Sequence, residues 1–160
     1  MVVSTFSFAP GWDLSGRLIN DPKGYSPLVE SGSTLYLDSD LGWYDSSNPI
    51  MSGVSSLHTF FRDDTTLASG AELVASWADG KPLMATKGNV VAITLWPGSS
   101  GRTGTYFDDW TGDVPQLYHN ALIYRGTPTA NVPEFPSVAL PVASILALVV
   151  IFGRKKNMIK

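Results

Sequence analysis

Three carboxylates stand close together in Asp38-Ser39-Asp40-Leu41-Gly42-Trp43-Tyr44-Asp45. Oxygens at alternating positions around a turn glycine are what a Ca²⁺ loop supplies. Asp38 and Asp40 fill the first two such positions, and Leu41-Gly42-Trp43 then breaks the EF-hand spacing. The segment reads as a solvated acidic loop, with Asp38, Asp40 and Asp45 as the metal candidates. His58 falls in a strand-like stretch, where a lone His reads as a packed or surface residue rather than a catalyst. His119, the other histidine, falls on a helical stretch. The chain contains no Cys, which excludes disulfides, thiolate metal sites and a Cys nucleophile within it. No catalytic residue and no cofactor are expected.

The elements that would hold these groups follow from period and turn chemistry. Val2 to Phe8 reads as a strand closed by Ala9-Pro10-Gly11, and Trp12 to Pro27 as a loop with a short strand at Arg17-Leu18-Ile19. Short strands are expected at Thr34 to Leu37 and Ser55 to Phe61, the second after a turn over Asn48 to Val54. Leu73 to Ala78 and Pro82 to Lys87 flank Asp79-Gly80, a two-residue hairpin signal. Pro82 at a strand start removes only a terminal ladder donor. Gly88-Asn89 turns the chain again into Val90 to Trp96, an apolar run suited to a strand covered on both faces. Pro97 to Gly112 reads as a long loop. Asp113 is placed as a helix N-cap with Pro115 in the first turn. Val114, Leu117, Tyr118, Ala121 and Leu122 then share one helical face, and the helix stops near Arg125-Gly126.

Charge divides the chain. Residues 1–153 hold all fourteen acids and seven of the eleven Lys and Arg, a net of −7, and the last seven residues hold the other four cations. An acidic body argues against nucleic acid, whose phosphates need clustered cations. Val138 to Phe152 is an apolar run, followed by Gly153-Arg154-Lys155-Lys156. A basic cluster of Arg154, Lys155 and Lys156 after such a run is what the cytoplasmic side of a membrane expects. Fifteen helical residues reach roughly 22 Å, short of a hydrocarbon core of ~30 Å. Phe135, Pro136 and Gly153, with snorkelling cations, extend the reach. A transmembrane helix at about 137–153 is therefore expected. Met1 to Phe6 has no basic region, long apolar core or small-residue cleavage site. An exported body needs an export signal, so the chain is expected to continue upstream of Met1 or to have a misassigned start; the alternative is a small tail-anchored protein with a cytoplasmic body.

Asn48 to Val54, Leu73 to Leu83, Val90 to Leu95, Trp110 to Asp113 and Leu117 to Tyr124 together resemble surface proteins with a class I glutamine amidotransferase-like domain. The resemblance implies the C-terminal part of a flavodoxin-like α/β domain over residues 1–125, with a β-meander and a linker at 126–132. Active members use a Cys on a strand–helix elbow, with a His and a Glu from a His-Pro-Glu. Here Trp96-Pro97-Gly98 stands at the His-Pro-Glu position, and neither Trp96 nor Gly98 can transfer a proton at neutral pH. His119 lies on the last helix and is no substitute. The resemblance implies a non-catalytic scaffold, with Trp96, Trp110 and the Gly98–Gly104 loop either at a ligand edge or in the core. Two alternatives stand beside it. One is an amidotransferase-like or hydrolase enzyme whose catalytic residues precede Met1. The other is a surface carbohydrate- or metal-binding module.

The tail, residues 133–160, resembles the archaeal PEF-CTERM sorting signal. The likeness is carried by Pro133-Glu134-Phe135-Pro136, the apolar run and the basic cluster in that order. It implies an archaeosortase-type processing enzyme as partner, contact with membrane lipid and a surface location. The body would be extracellular and the C-terminus cytoplasmic before processing. Pro133, Glu134, Phe135 and Pro136 are then substrate, held extended by the paired prolines.

Overall fold

The computed structural model describes residues 1–4, 16, 24–98 and 110–126, apart from the side chain of Ser33. The chain divides into two units, Met1–Thr127 and Pro128–Lys160, and all described residues belong to the first. Strands dominate: β1 (Val2–Val3), β2 (Leu28–Tyr44), β3 (Leu57–Leu67), β4 (Glu72–Trp77), β5 (Pro82–Lys87), β6 (Val90–Ile93) and β7 (Trp110–Gly112). A one-turn 3₁₀ helix at Pro49–Met51 follows β2, and α1 (Val114–Ile123) follows β7. The sheet order is β1-β6-β5-β4-β2-β3-β7. Among the described residues, only β1 and β6 pair in parallel; the remaining neighbours are antiparallel.

This overturns the flavodoxin-like α/β expectation. That fold needs a parallel sheet whose crossover helices cover both faces. Here the described residues contain one α-helix, and successive strands return through tight turns. The apolar run at Val90 does form the last strand of the meander its turns predict, ending at Ile93 and pairing on its far edge with β1. As its third strand it is antiparallel to β5, with Val91, Ala92 and Ile93 buried. Among the described residues, no helix is long and apolar enough to cross a membrane. The span expected at about 137–153 lies outside those residues, as do the expected short strand at Arg17 to Ile19 and most of the loop after Pro97.

The meander forms as its turns dictate. Asp79-Gly80 joins β4 to β5 and Gly88-Asn89 joins β5 to β6, with Gly80 at φ +84° and Gly88 at φ +57°. Those angles fall where a side chain would clash, so glycine supplies the turn. By contrast β2, expected as a short strand and an acidic loop, is one element of 17 residues. Its register slips between Glu30 and Thr34, Tyr36 and Ser39, and Leu41 and Tyr44. Such bulges bend a strand and raise its twist. The first part of β2 therefore pairs with β3 and its end with β4. Beyond β6 the chain runs back to β3: Asp63 N–H donates to Thr94 O at 3.1 Å, and Arg62 bridges Leu95. The sheet curls on itself as a half-barrel.

The main core lies inside that curl and under α1, built on Ile50, Leu57, Trp77, Leu83, Ile93, Leu95 and Leu117. The helix buries Val114, Leu117 and Ala121 as its spacing requires. Leu122, expected on the same face, is 72% exposed. Asn120 is buried there instead, donating to Ile50 O at 2.9 Å and Ser52 O at 2.8 Å. Asp113 makes no side-chain cap bond to the helix. Its Oδ2 accepts from Ser55 N–H at 2.8 Å, Ser55 Oγ at 3.0 Å and Ser56 N–H at 3.0 Å, tying the helix start to the approach to β3. Those same bonds hold its carboxyl below the ordinary range.

The backbones of β2 and β4 approach closely at Gly42, where a Cβ would lie 2.4 Å from Trp77 O. Gly42→Ala must push β2 off β4. We expect a loss of roughly 1–3 kcal/mol, the usual cost of overpacking, read as a lowered denaturant midpoint. An unchanged midpoint would contradict the β2–β4 register.

Candidate functional site

The structure takes the acidic candidates apart. Asp38 and Asp40 project from β2, 69% and 77% exposed at the side chain, toward His58 on β3. His58 Nδ1 lies 2.9 Å from Asp40 Oδ1, and His58 Nε2 lies 3.3 Å from Asp38 Oδ1. The two carboxylates therefore meet opposite edges of one imidazole. A single metal ion cannot reach both ring nitrogens, so the arrangement offers two one-carboxylate half-sites rather than one three-ligand site. Among the described residues, no group of three or more His, Asp or Glu is arranged to hold a metal ion. Asp45 is used locally. It accepts from Ser47 Oγ at 2.6 Å and Ser47 N–H at 2.9 Å, and these bonds lower its pKa.

The same geometry limits acid–base chemistry at His58. A general base needs a free ring nitrogen facing the proton it removes. Here each nitrogen already faces a carboxylate. A neutral ring donates to one of them and a doubly protonated ring to both. The trio cross-links β2 to β3. His119 is exposed on α1, away from this trio in sequence and element. Trp110 lies on β7 at the sheet edge, part-buried, with Nε1 donating to Gly98 O at 3.0 Å. Trp96 is part-buried just past β6, where its N–H meets Phe61 O at 3.4 Å. Both Trp residues stand along the edge of β3 that β2 leaves open, Trp110 beside Thr59 and Trp96 beside Phe61.

One charged cluster was not foreseen. Arg62, in the middle of β3, has 0% of its surface exposed. Its Nη2 donates to Asp79 Oδ2 at 2.6 Å and its Nη1 to Asp79 Oδ1 at 3.3 Å. The guanidinium carbon sits 5.5 Å from the Trp77 ring centroid. Trp77 Nε1 in turn donates to Thr94 Oγ1 at 2.9 Å, which donates to Pro82 O at 2.9 Å. Two residues along β3, Asp64 accepts from Lys81 Nζ at 2.5 Å. Arg62-x-Asp64 on one element thus faces Asp79-x-Lys81 on another, with charges complementary in order. That pattern is visible in the sequence. What hides it is that pairing residues 17 apart requires the curl of the sheet.

Burial alone would raise the Asp79 carboxyl. The Arg62 hydrogen bond, the Lys81 N–H, and the charges of Arg62 and Lys81 outweigh that and hold it below its ordinary 3.8. A carboxylate lowered in the folded state contributes stability that is complete above its unfolded pKa. That contribution is lost as pH falls through the folded value.

Residues 132–156 match the PEF-CTERM archaeal protein sorting domain. That match implies a protein processed by an archaeosortase-type enzyme and anchored at the cell surface. It covers only the tail and assigns no activity to the body. No curated protein and no solved structure matches the chain. The amidotransferase-like resemblance is therefore without support from either comparison, and the β-rich fold removes the architecture it implied.

The Arg62 cluster makes an asymmetric prediction. Asp79→Ala leaves a fully buried cation without its anion, which costs roughly 3–5 kcal/mol. Arg62→Met leaves Asp79, whose side chain is 36% exposed and can hydrate, so it should cost less. The double variant should resemble Arg62→Met alone. Denaturant unfolding checks this order. Between pH 5 and 3 the wild type should lose stability more steeply than Asp79→Ala, which lacks the titrating group. Parallel pH profiles would count against the linkage.

Proposed function

We propose that this chain is a non-catalytic β-domain displayed at the cell surface and processed through its C-terminal sorting signal. The observation that carries the reading is the sorting-domain match over residues 132–156. Pro133-Glu134-Phe135-Pro136 is the segment read by the archaeosortase-type enzyme. The body stands outside the cell, and Arg154, Lys155 and Lys156 remain on the cytoplasmic side until processing, as the positive-inside rule favours. After cleavage the body is held through an attached lipid.

Two features of the body support a structural role. The imidazole of His58 is engaged at both nitrogens by Asp38 and Asp40. The most concentrated charge cluster, Arg62, Asp64, Asp79 and Lys81, pairs with itself across the curl of the sheet. Charged groups satisfied by one another cross-link strands; they do not present a reactive group to a substrate.

Intact-mass analysis in an archaeal host with and without its archaeosortase tests the processing. With the enzyme, the mature protein should lack the apolar run and basic end and carry the mass of a lipid. Without the enzyme, or with Glu134→Ala and Phe135→Ala, the tail should remain. A mature product still ending in Lys160 in the presence of the enzyme would overturn the reading.

A further inference from the structure

Asp79-Gly80 is the single Asp-Gly or Asn-Gly pair in the chain. In such a pair the glycine nitrogen can attack the aspartate Cγ, because no side chain obstructs it. The N–Cγ bond forms, and the carboxyl oxygen leaves as water with the amide proton, giving a cyclic imide. Water then opens the imide at either carbonyl. One product is aspartate; the other is isoaspartate, whose main chain runs through Cγ and is one carbon longer. Mass is unchanged overall, and no reactant other than water is needed.

Every feature of this turn bears on that reaction. Ala78, Asp79 and Gly80 are exposed, so water has access. Both oxygens of Asp79 are held by Arg62, and Oδ1 also accepts from Lys81 N–H at 3.1 Å. The nucleophile is held as well, since Gly80 N–H donates to Trp77 O at 2.9 Å. Cyclisation requires the carboxyl to leave Arg62 and swing toward a nitrogen that has left Trp77 O. It also proceeds from the protonated carboxyl, and the lowered Asp79 pKa makes that form scarce.

We propose that Asp79–Gly80 is a latent isomerisation site, kept closed by the two-point grip of the Arg62 guanidinium on the Asp79 carboxylate. Opening of the grip exposes the pair to cyclisation. The product is irreversible in effect: an extra main-chain carbon in the tight turn closed by Trp77 N–H on Lys81 O breaks the β4–β5 register, and Arg62 loses the carboxylate it was buried against. The site is a chemical clock on the closure of the half-barrel.

The test is peptide mapping with fragmentation that distinguishes isoaspartate, after prolonged incubation of the full chain at neutral pH and elevated temperature. The comparator is a synthetic peptide spanning residues 75–83. The native chain should isomerise at Asp79 at least about tenfold more slowly than the peptide, as expected if the turn is open in fewer than roughly one molecule in ten. Arg62→Lys keeps the charge and loses the fork, and it should accelerate the reaction. Leu117→Ala, matched in global stability but remote from the turn, should not. Circular dichroism verifies that both variants are folded at the incubation temperature. If Arg62→Lys does not fold, Arg62→Met takes its place. Equal rates in native chain and peptide would overturn the proposal. So would equal acceleration by the Arg62 and Leu117 variants, which would assign the reaction to global unfolding.

Discussion

The structure depends on a guanidinium placed where water cannot reach it. A buried cation is tolerated only when an anion and donors' partners are positioned around it. Arg62 is buried in the middle of β3, while its partner Asp79 sits in the turn between β4 and β5. The sheet must therefore curl until that turn lies against β3. The Arg62–Leu95 bridge and the Asp63 to Thr94 hydrogen bond are the backbone expression of the same closure. Trp77 shares the site, offering its ring face to Arg62 and its Nε1 to Thr94. A cation over an indole contributes about 0.5–2 kcal/mol, and Arg62 Nε, buried without a hydrogen-bond partner, works against it. Lys81 to Asp64 repeats the rule one step along the strand with the signs exchanged.

Around this closure the remaining contacts serve rigidity. Asp113 joins α1 to the approach to β3, and Asn120 joins the helix to the 3₁₀ turn. Tyr118 donates to Leu95 O at 2.7 Å and lies 2.7 Å from Ser4 Oγ. Burial pushes its hydroxyl up, against the pull of the Ser4 bond. The ends of the described body are thus fastened to the same strand region that Arg62 bridges.

How much of this was legible depends on range. The meander could be read because Asp79-Gly80 and Gly88-Asn89 act locally; β4 and β5 fall within a residue of their expected limits, and β6 ends at Ile93, short of the expected Trp96. The helix start was placed correctly, but Asp113 turned outward to Ser55 and Ser56 because two backbone donors there outcompete a helix cap. The acidic stretch of β2 was misread as a loop. Its exposed Asp38 and Asp40 look like loop residues until His58 on the facing strand accounts for them. The parallel pairing of β6 with β1 could not be read, because strand direction leaves no local mark on a run covered on both faces. Arg62 was invisible for the same reason: burial of a charge is a property of its distant partner. The sorting tail was legible because a linear signal, read by another protein, needs no tertiary context.

Native-state hydrogen exchange tests the central claim most directly, by comparing the Asp63 amide, which crosses the closure, with Met84 and Ala85 amides inside the meander. The account predicts that Asp63 exchanges only through the same global opening as the meander, with a matching free energy and denaturant dependence. An Asp63 amide that exchanges through a much cheaper, denaturant-independent local opening would show that the half-barrel closes without help from Arg62.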